Sequence, residues 1–586
     1  MKPLLRLKPY LLRYKRTLLW GVLTVIASNL FTVVQPMFLG KAIDALKTGI
    51  DTHAVVAGDL LRWALIIVGF SIVAGVFTFL TRQTIIVISR HIEFDLRNDL
   101  LAHLQRLSHA YFQNTPTGDL MAHATNDISA VRNVVGPGIM YPTDTLLTFT
   151  MVLILMMVKD WQLTLLALIP LPFASLIVYQ MGKKVHKKSL ERQAQFSVLT
   201  TRAQENLSGI RVIKSYVREE YEIDLFHKLS WDYLKKNLVL ARIQSLLWPL
   251  MFSIIGCSIV IVLYVGGLQV IEGKLSIGSL SAFLAYLVML IWPVIAFGWV
   301  INLLQQGAAS MERLGKIFDT EPEIRDTNET LRSIQDMEGA IEFRGVGFTH
   351  KNSAQPTLQN INLKIERGMT VAVVGFTGTG KTTLINLIPR LYDISEGRLL
   401  IDGHDIRKIP LDVLRTNIGY VPQETFLFSD TLADNIRYGT DDGTEQHVRE
   451  AAEISQIAKD VVEFPKQFET MIGERGITLS GGQKQRTSIA RALIRQPRIL
   501  ILDDCLSAVD TYTEEEILRR LRVFMRGRTS IIISHRISTV KEADLIVVLD
   551  KGQIVERGTH AELVAQGGIY AELNEKQLLE RELEEL

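Results

Sequence analysis

The chain has 586 residues and a mass of 66.0 kDa, enough for more than one domain. Its net charge of +2 argues against a nucleic-acid binder driven by bulk charge, so no nucleic acid is expected as a partner. Two cysteines, Cys257 and Cys505, give no basis for a disulfide framework or a thiolate metal site.

Hydrophobic residues make up 48% of the chain and the mean hydropathy is +0.19, but the apolar content is uneven. Nearly all long charge-free runs lie before residue 312, and the remainder has the composition of a soluble domain. Residues 1–16 interleave Lys2, Arg6, Lys8, Arg13, Lys15 and Arg16 with Leu4, Leu5, Leu7, Tyr10, Leu11 and Leu12. This pattern suits a short amphipathic helix on an anionic membrane face, with a plain basic tail as the other reading. The first apolar run lacks a small-residue cleavage site, so no cleaved leader is expected.

Six apolar runs follow: Thr17–Gly40, Trp63–Thr81, Asn133–Val158, Trp161–Gly182, Ile243–Ile271 and Leu275–Met311. A span needs about 20 apolar residues, and each run suffices. The long loops 82–132 and 183–242 hold Arg82, Arg90, Arg97, Arg106, Arg132, Lys183, Lys184, Lys187, Lys188 and Arg192. Basic residues beside spans favour the cytoplasmic side, which places both termini inward. Apolar residues near a helical period in Ile92–Leu107 and Gln195–Tyr233 predict membrane helices extended into the cytoplasm. Asn114–Asp119 and Asn206–Gly209 interrupt those arms, as ordinary turns or as contacts that pass force to the soluble part. Asp144 is the ionisable residue deepest in a run, and a structural hydrogen-bonding role is favoured over contact with a cationic substrate.

Glu312–Glu338 reads as a linker and Ala340–Phe348 as a strand. Val371–Thr383, VAVVGFTGTGKTT, then fits G-x-x-x-x-G-K-[ST] from Gly375 to Thr382. A strand must deliver a tight loop whose backbone N–H groups face phosphate, and side chains at Gly375, Gly378 and Gly380 would obstruct that approach. The following helix adds its N-terminal field. Lys381 is placed to reach the β/γ-phosphates, and Thr382 to ligate Mg²⁺. Gln423 stands in YVPQETFLF, and Leu479–Gln483 is LSGGQ. Arg498–Asp504, RILILDD, reads as a buried parallel strand that presents carboxylates at its C-terminal end, with Asp503 holding Mg²⁺ through water. SAVD at Ser507–Asp510 and the strand Ile531–Ile533, which empties into Ser534-His535, complete the series.

In this order the motifs resemble those of a half-transporter of the ATP-binding cassette (ABC) superfamily, in the multidrug and lipid exporter class. The resemblance covers nearly the whole chain. It implies an α-helical membrane domain of six transmembrane helices with long cytoplasmic extensions, followed by an α/β P-loop nucleotide-binding domain. The divisions are 1–16 (amphipathic segment), 17–311 (membrane domain), 312–339 (linker), 340–562 (cassette) and 563–586 (charged C-terminal helix). Coupling regions are expected near 115–120 and 205–211. The resemblance also implies ATP and Mg²⁺ as cofactors. Thr377, Thr379 and Thr383 join the phosphate-loop residues around ATP; Thr382, Gln423 and Asp503 hold the metal; Gln423, Asp504 and His535 serve catalysis. Ser480, Gly481, Gly482, Gln483 and Asp510 act across a head-to-tail dimer. Glu474 resembles the exporter segment that meets an intracellular loop of the other subunit.

Two positions depart from the family pattern. His350 stands where an aromatic residue usually stacks on adenine, and imidazole offers less face; Phe348 reads as core. Asp504 replaces the usual catalytic glutamate, so its carboxyl is expected to sit too far back unless the backbone shifts. The expected activity is ATP-driven export of hydrophobic or amphipathic compounds by alternating access, from a multi-pass protein of the inner (plasma) membrane with its ATPase domain cytoplasmic. The partner expected is a homologous half-transporter, with a heterodimer favoured. A homodimeric lipid flippase, or an ATP-gated channel or regulatory subunit, is the alternative.

Overall fold

The computed structural model describes residues 2–52, 57–351, 353, 355–473 and 479–584. Glu474 therefore lies outside the described residues. The chain divides into two compact units, Met1–Gln105 with Thr117–Thr320 and Arg106–Pro116 with Glu321–Leu586.

The first unit is helical. Residues Lys2–Leu7 and Lys8–Arg13 form short helical turns, as the interleaved leucines suggest. Two of their basic side chains are engaged within the protein: Arg6 pairs with Asp319 at 2.9 and 2.5 Å, and Arg13 with Asp95 at 2.6 Å. Helix Lys15–Thr52 follows. Helix Ala57–Thr81 passes through a π turn at Arg82–Ile86 into Val87–Arg106, so the second apolar run and its arm are continuous. Among the described residues, five helical stretches are long and apolar enough to cross a membrane: Lys15–Asp51, Ala57–Arg106, Thr117–Lys159, Glu219–Ile271 and Ile277–Phe318. The expected fourth span is not one of the five. It is split into Trp161–Leu168 and Leu171–Ser208 at Ile169-Pro170, where proline has no N–H to continue the ladder.

Helix packing is closest where glycine allows it. A Cβ on Gly278 would stand 1.9 Å from the Gly40 carbonyl oxygen, so helices Lys15–Thr52 and Ile277–Met289 meet backbone to backbone. Asp44 secures that crossing by accepting from Gly278 N at 2.8 Å and Ser276 Oγ at 2.7 Å.

Both interruptions expected in the arms are present as helix ends. The first falls at Thr115-Pro116, between helices His109–Asn114 and Thr117–Ala122, and a further break precedes it at Ser108. Thr115 is extended because a proline follows it, and Pro116 stands immediately before helix Thr117–Ala122. At the second region Gly209 ends one helix and Ile210–Ser215 forms a short one. Helix Ile291–Phe318 runs on into the stretch that reads as linker.

The second unit holds two sheets. Strands β1 (Ile341–Phe348), β2 (Leu358–Ile365), β4 (Glu396–Ile401) and β5 (His404–Asp405) form an antiparallel sheet in the order β2-β1-β4-β5. Strands β3 (Thr370–Val374), β6 (Ile418–Val421), β7 (Ile499–Asp503), β8 (Thr529–Ile533), β9 (Leu545–Asp550) and β10 (Gln553–Gly558) form the larger one, ordered β10-β9-β3-β8-β7-β6. All its pairings are parallel except β9 with β10. β7 is buried along its whole length, as an unbroken branched run predicts. One core joins the two sheets through Phe343, Val371, Ile385 and Ile501; a second gathers Leu479, Ile489, Leu502 and Ile517.

Candidate active site

Parallel strands end on one edge, so the loops that leave β3, β6, β7 and β8 open on the same side. The register aligns Val373 and Asp503 each with Ile533, and Val421 with Leu502. That edge therefore carries the phosphate-loop sequence, Gln423, Asp504 and His535 together. The signals that mark them run along the chain, but the sheet is what makes them neighbours.

The loop conformation explains its glycines. Gly375, Gly378 and Gly380 have φ of +148°, +83° and +98°, a region that disfavours side chains. At Gly375 a Cβ would also stand 2.2 Å from the Leu549 carbonyl oxygen of β9. Thr379 Oγ1 donates to the Phe376 carbonyl at 2.9 Å and tightens the turn, while Thr377 stays exposed. Lys381 is only 6% exposed and folds back over the loop, donating to the carbonyls of Gly375 at 2.8 Å and Phe376 at 2.7 Å. Burial pulls its pKa below the usual lysine value, opposed by the charges of Asp503 and Asp504. Thr382 Oγ1 donates to Asp503 Oδ1 at 3.3 Å, and Thr383 lies half-buried behind it.

Asp503 is buried, and desolvation pushes its carboxyl up to about 6 against the Thr382 hydrogen bond. Its Oδ2 is buried with no hydrogen-bond partner. An orphaned carboxylate oxygen beside a threonine hydroxyl is a hard-oxygen donor set that fits Mg²⁺. Asp504 has φ +44°, donates its N–H to the Ile533 carbonyl at 2.9 Å and accepts from Ser507 Oγ at 3.0 Å through its own carbonyl. Its backbone is thus pinned on both sides. The side chains of His535 and Gln423 are exposed on the same edge.

His350 follows β1, and its ring edge meets Phe348 at 4.8 Å and Tyr392 at 5.5 Å between centroids. Phe348 is buried, as its place in the strand pattern implies. Tyr392 in turn meets His109 of the Arg106–Pro116 segment at 5.6 Å, and Ala110 packs on the same core. Tyr392 carries no signal in the sequence, because its partners lie far away along the chain.

Of LSGGQ, Leu479 packs in the second core and the other four residues lie at its surface. Ser480 caps helix Gly481–Leu493, its Oγ accepting from Gln483 N at 3.3 Å while Gln483 Oε1 accepts from Ser480 N at 2.9 Å. Gln483 Nε2 also donates to Asp460 Oδ1 at 2.9 Å. This helix packs through Ile489 and Leu493 in the second core, whereas the phosphate-loop helix Lys381–Asn386 packs through Leu384 and Ile385 in the first. Asp510 caps helix Thr511–Met525, accepting from Thr513 N at 2.9 Å, and that bond lowers its pKa. The helix that follows Ser480 is thus anchored in the second core, and the helix that follows Gly380 in the first.

Known proteins match this arrangement. A family described as ABC transporter transmembrane region matches residues 18–294, and one described as ABC transporter matches residues 358–507. The chain is 39% identical to a probable multidrug resistance ABC transporter ATP-binding/permease protein, YheI, of Bacillus subtilis, over 98% of this chain and 96% of the relative. It is 38% identical to an ATP-dependent lipid A-core flippase of Syntrophus aciditrophicus, over 89% of this chain and 86% of the relative. A solved bacterial Atm1-family ABC exporter with ATP bound has a TM-score of 0.80 and 27% identity, covering 96% of this chain and 99% of that one. The chain belongs to the ABC transporter family, as a multi-pass half-transporter whose ATP-binding, ATP-hydrolysing domain drives export.

Proposed function

We propose that the chain exports hydrophobic or amphipathic compounds, lipids among them, by alternating access in a dimer. The observation that carries this reading is the buried Lys381 amine beside Thr382 and the orphaned Asp503 Oδ2 at the end of β7. It is a phosphate-and-cation cradle built on a rigid sheet edge. Gly375, Thr377, Gly378, Thr379, Gly380, Lys381, Thr382 and Thr383 cradle the ATP phosphates, and His350 faces adenine. Thr382, Asp503 and Gln423 hold Mg²⁺, which neutralises phosphate charge when bound. Asp504 and His535 act on the attacking water and the γ-phosphate.

Ser480, Gly481, Gly482, Gln483 and Asp510 serve the site of the other subunit. The anchoring of the two helices in different cores supports that division. ATP bridges both cassettes in one state and not the other, which is what lets it shift the equilibrium. Six spans, with both termini and the cassette on the cytoplasmic side of the inner (plasma) membrane, agree with the basic loops and require the split helix at Ile169-Pro170 to cross as well.

The lipid A-core flippase relative supports a lipid substrate, and the multidrug relative a drug-like one. The comparisons lend more support to the homodimeric lipid flippase than to the heterodimeric exporter. A heterodimer keeps one specific observation in its favour. Asp504 is a methylene shorter than glutamate, and its backbone is held by Ile533 and Ser507, which opposes the shift that would restore reach. The test is ATP-driven movement of a fluorescent phospholipid analogue and of a lipophilic dye in vesicles. Movement of either, lost in Lys381→Ala, is expected. ATP-dependent conductance without such movement would replace export with gating.

A further inference from the structure

The loop that carries His535 is held from two sides by side chains outside its own strand. On one side Arg536 donates to Glu514 of helix Thr511–Met525, and Thr539 Oγ1 donates to the other Glu514 oxygen at 2.8 Å. Glu514 is 2% exposed, so its buried charge is met by the Arg536 guanidinium and its other oxygen by the Thr539 hydroxyl. On the other side stands Gln577 of the C-terminal helix Ile569–Glu584. Its Nε2 donates to the His535 carbonyl, and its Oε1 accepts from Ile537 N at 2.8 Å. One amide thus closes both open backbone groups around the histidine, while the imidazole itself stays exposed.

The helix is built to deliver that amide. Glu556 of β10 accepts from Ile569 N at 2.6 Å and Tyr570 N at 3.1 Å, which anchors the first turn with an acidic group where helix N–H groups are unpaired. Tyr570 is fully buried and Leu573 packs on the same core, which also includes Ile537 and Val540. Tyr570, Leu573 and Gln577 are spaced i, i+3 and i+7, so they share one helix face. The core contact that seats the helix therefore also aims Gln577 at His535.

We propose that Gln577 is a positioning residue for His535, through which the C-terminal helix sets the rate of ATP hydrolysis. The proposal rests on the reading of His535 as the residue that meets the γ-phosphate. Gln577 acts through the main chain from which the imidazole projects. A misplacement of about 1 Å at a reacting group can cost about 10²-fold in rate.

The test uses the full-length transporter in the dimer that turns over ATP. Gln577→Met keeps the side-chain length and removes both hydrogen bonds. It is expected to lower kcat by about 10-fold, with KM for ATP within about twofold and the unfolding midpoint unchanged. Hydrogen exchange across 534–540 should rise, because the Ile537 amide loses its acceptor. Gln577→Glu keeps the acceptor and loses the donor, and should fall between. In a His535→Ala background, Gln577→Met should cost nothing further. Wild-type kcat and exchange in Gln577→Met, with His535→Ala impaired, would overturn the clamp and leave the role of His535 standing. Unimpaired turnover in His535→Ala would remove the reading on which the clamp rests. A Gln577→Met loss that persists in full without the imidazole would also overturn it.

Discussion

The Lys381 ammonium donates to the Gly375 carbonyl at 2.8 Å, six residues back along the same loop. The charge is buried on the loop's carbonyl dipoles, and burial works against it while Asp503 and Asp504 favour it. An anion in the loop would therefore be bound by a donor already aimed and already desolvated. Lys381→Ala is expected to weaken ATP binding by at least tenfold and abolish transport, with the helical content and unfolding midpoint of the protein unchanged. Unchanged nucleotide affinity by calorimetry would remove Lys381 from the site.

Gly375 is constrained twice, by φ +148° and by the Leu549 carbonyl oxygen 2.2 Å from where a side-chain methyl would stand. Gly375→Ala should destabilise the protein by about 1–3 kcal/mol and impair nucleotide binding. Gly378 has φ +83° but open space around its Cβ position, so Gly378→Asn should cost less, since asparagine tolerates that backbone. Thermal unfolding of the two variants checks the order.

Tyr392 lies between His350 and His109, at 5.5 and 5.6 Å. It thus touches the residue proposed to face adenine and the short helix His109–Asn114 in one contact chain. Tyr392→Leu keeps apolar volume and loses both ring contacts, each worth about 0.5–1.5 kcal/mol. Transport should fall more than ATP turnover, so less substrate moves per ATP. An unchanged ratio of the two rates would show that the ring serves packing alone.

Inside the membrane unit, Asn29 Nδ2 donates to Asp144 Oδ1 at 2.8 Å, and Thr148 donates to Asn29 Oδ1. This is the hydrogen-bonded role favoured for Asp144 over direct contact with a cation. Asp144→Asn should retain transport of both neutral and cationic substrates. Asn29→Leu leaves the carboxylate without its donor and should lower stability by about 1–3 kcal/mol. Selective loss of cationic substrates in Asp144→Asn would restore the substrate-contact reading.

The site is legible in the sequence where chemistry dictates spacing along the chain. Glycines at Gly375, Gly378 and Gly380 can be read there because phosphate and backbone geometry both require them. The branched run ending in Asp503 is legible because a buried parallel strand allows little else. Contacts between distant segments are not. The Tyr392 ring with His109, and the Gln577 amide with the His535 carbonyl, each join groups whose sequence neighbourhoods carry no shared pattern. Pro116 is legible as a helix break, and one falls at Thr115-Pro116; the further break at Ser108 has no proline or glycine beside it to mark it. Leu479–Gln483 is legible twice over, as a motif and as the S-x-x-Q capping box it forms.

The last prediction concerns Asp504 and the make-up of the dimer. Its N–H is held by the Ile533 carbonyl at 2.9 Å and its carbonyl by Ser507 Oγ at 3.0 Å, so the short side chain has little backbone freedom to move forward. A general base must come within hydrogen-bond reach of its water, directly or through another water. If Asp504 falls short, this chain's phosphate loop completes a slow site, while its LSGGQ completes a fast one with a homologous partner that carries glutamate. If one bridging water restores the reach, two copies of this chain suffice. The two cases separate on ATP turnover of the chain alone and with a homologous half-transporter, each with and without Asp504→Asn. A heterodimer should turn over at least tenfold faster than the chain alone and keep most of that rate in the variant. Robust turnover by the chain alone, abolished by Asp504→Asn, would instead establish the homodimer with aspartate as its working base.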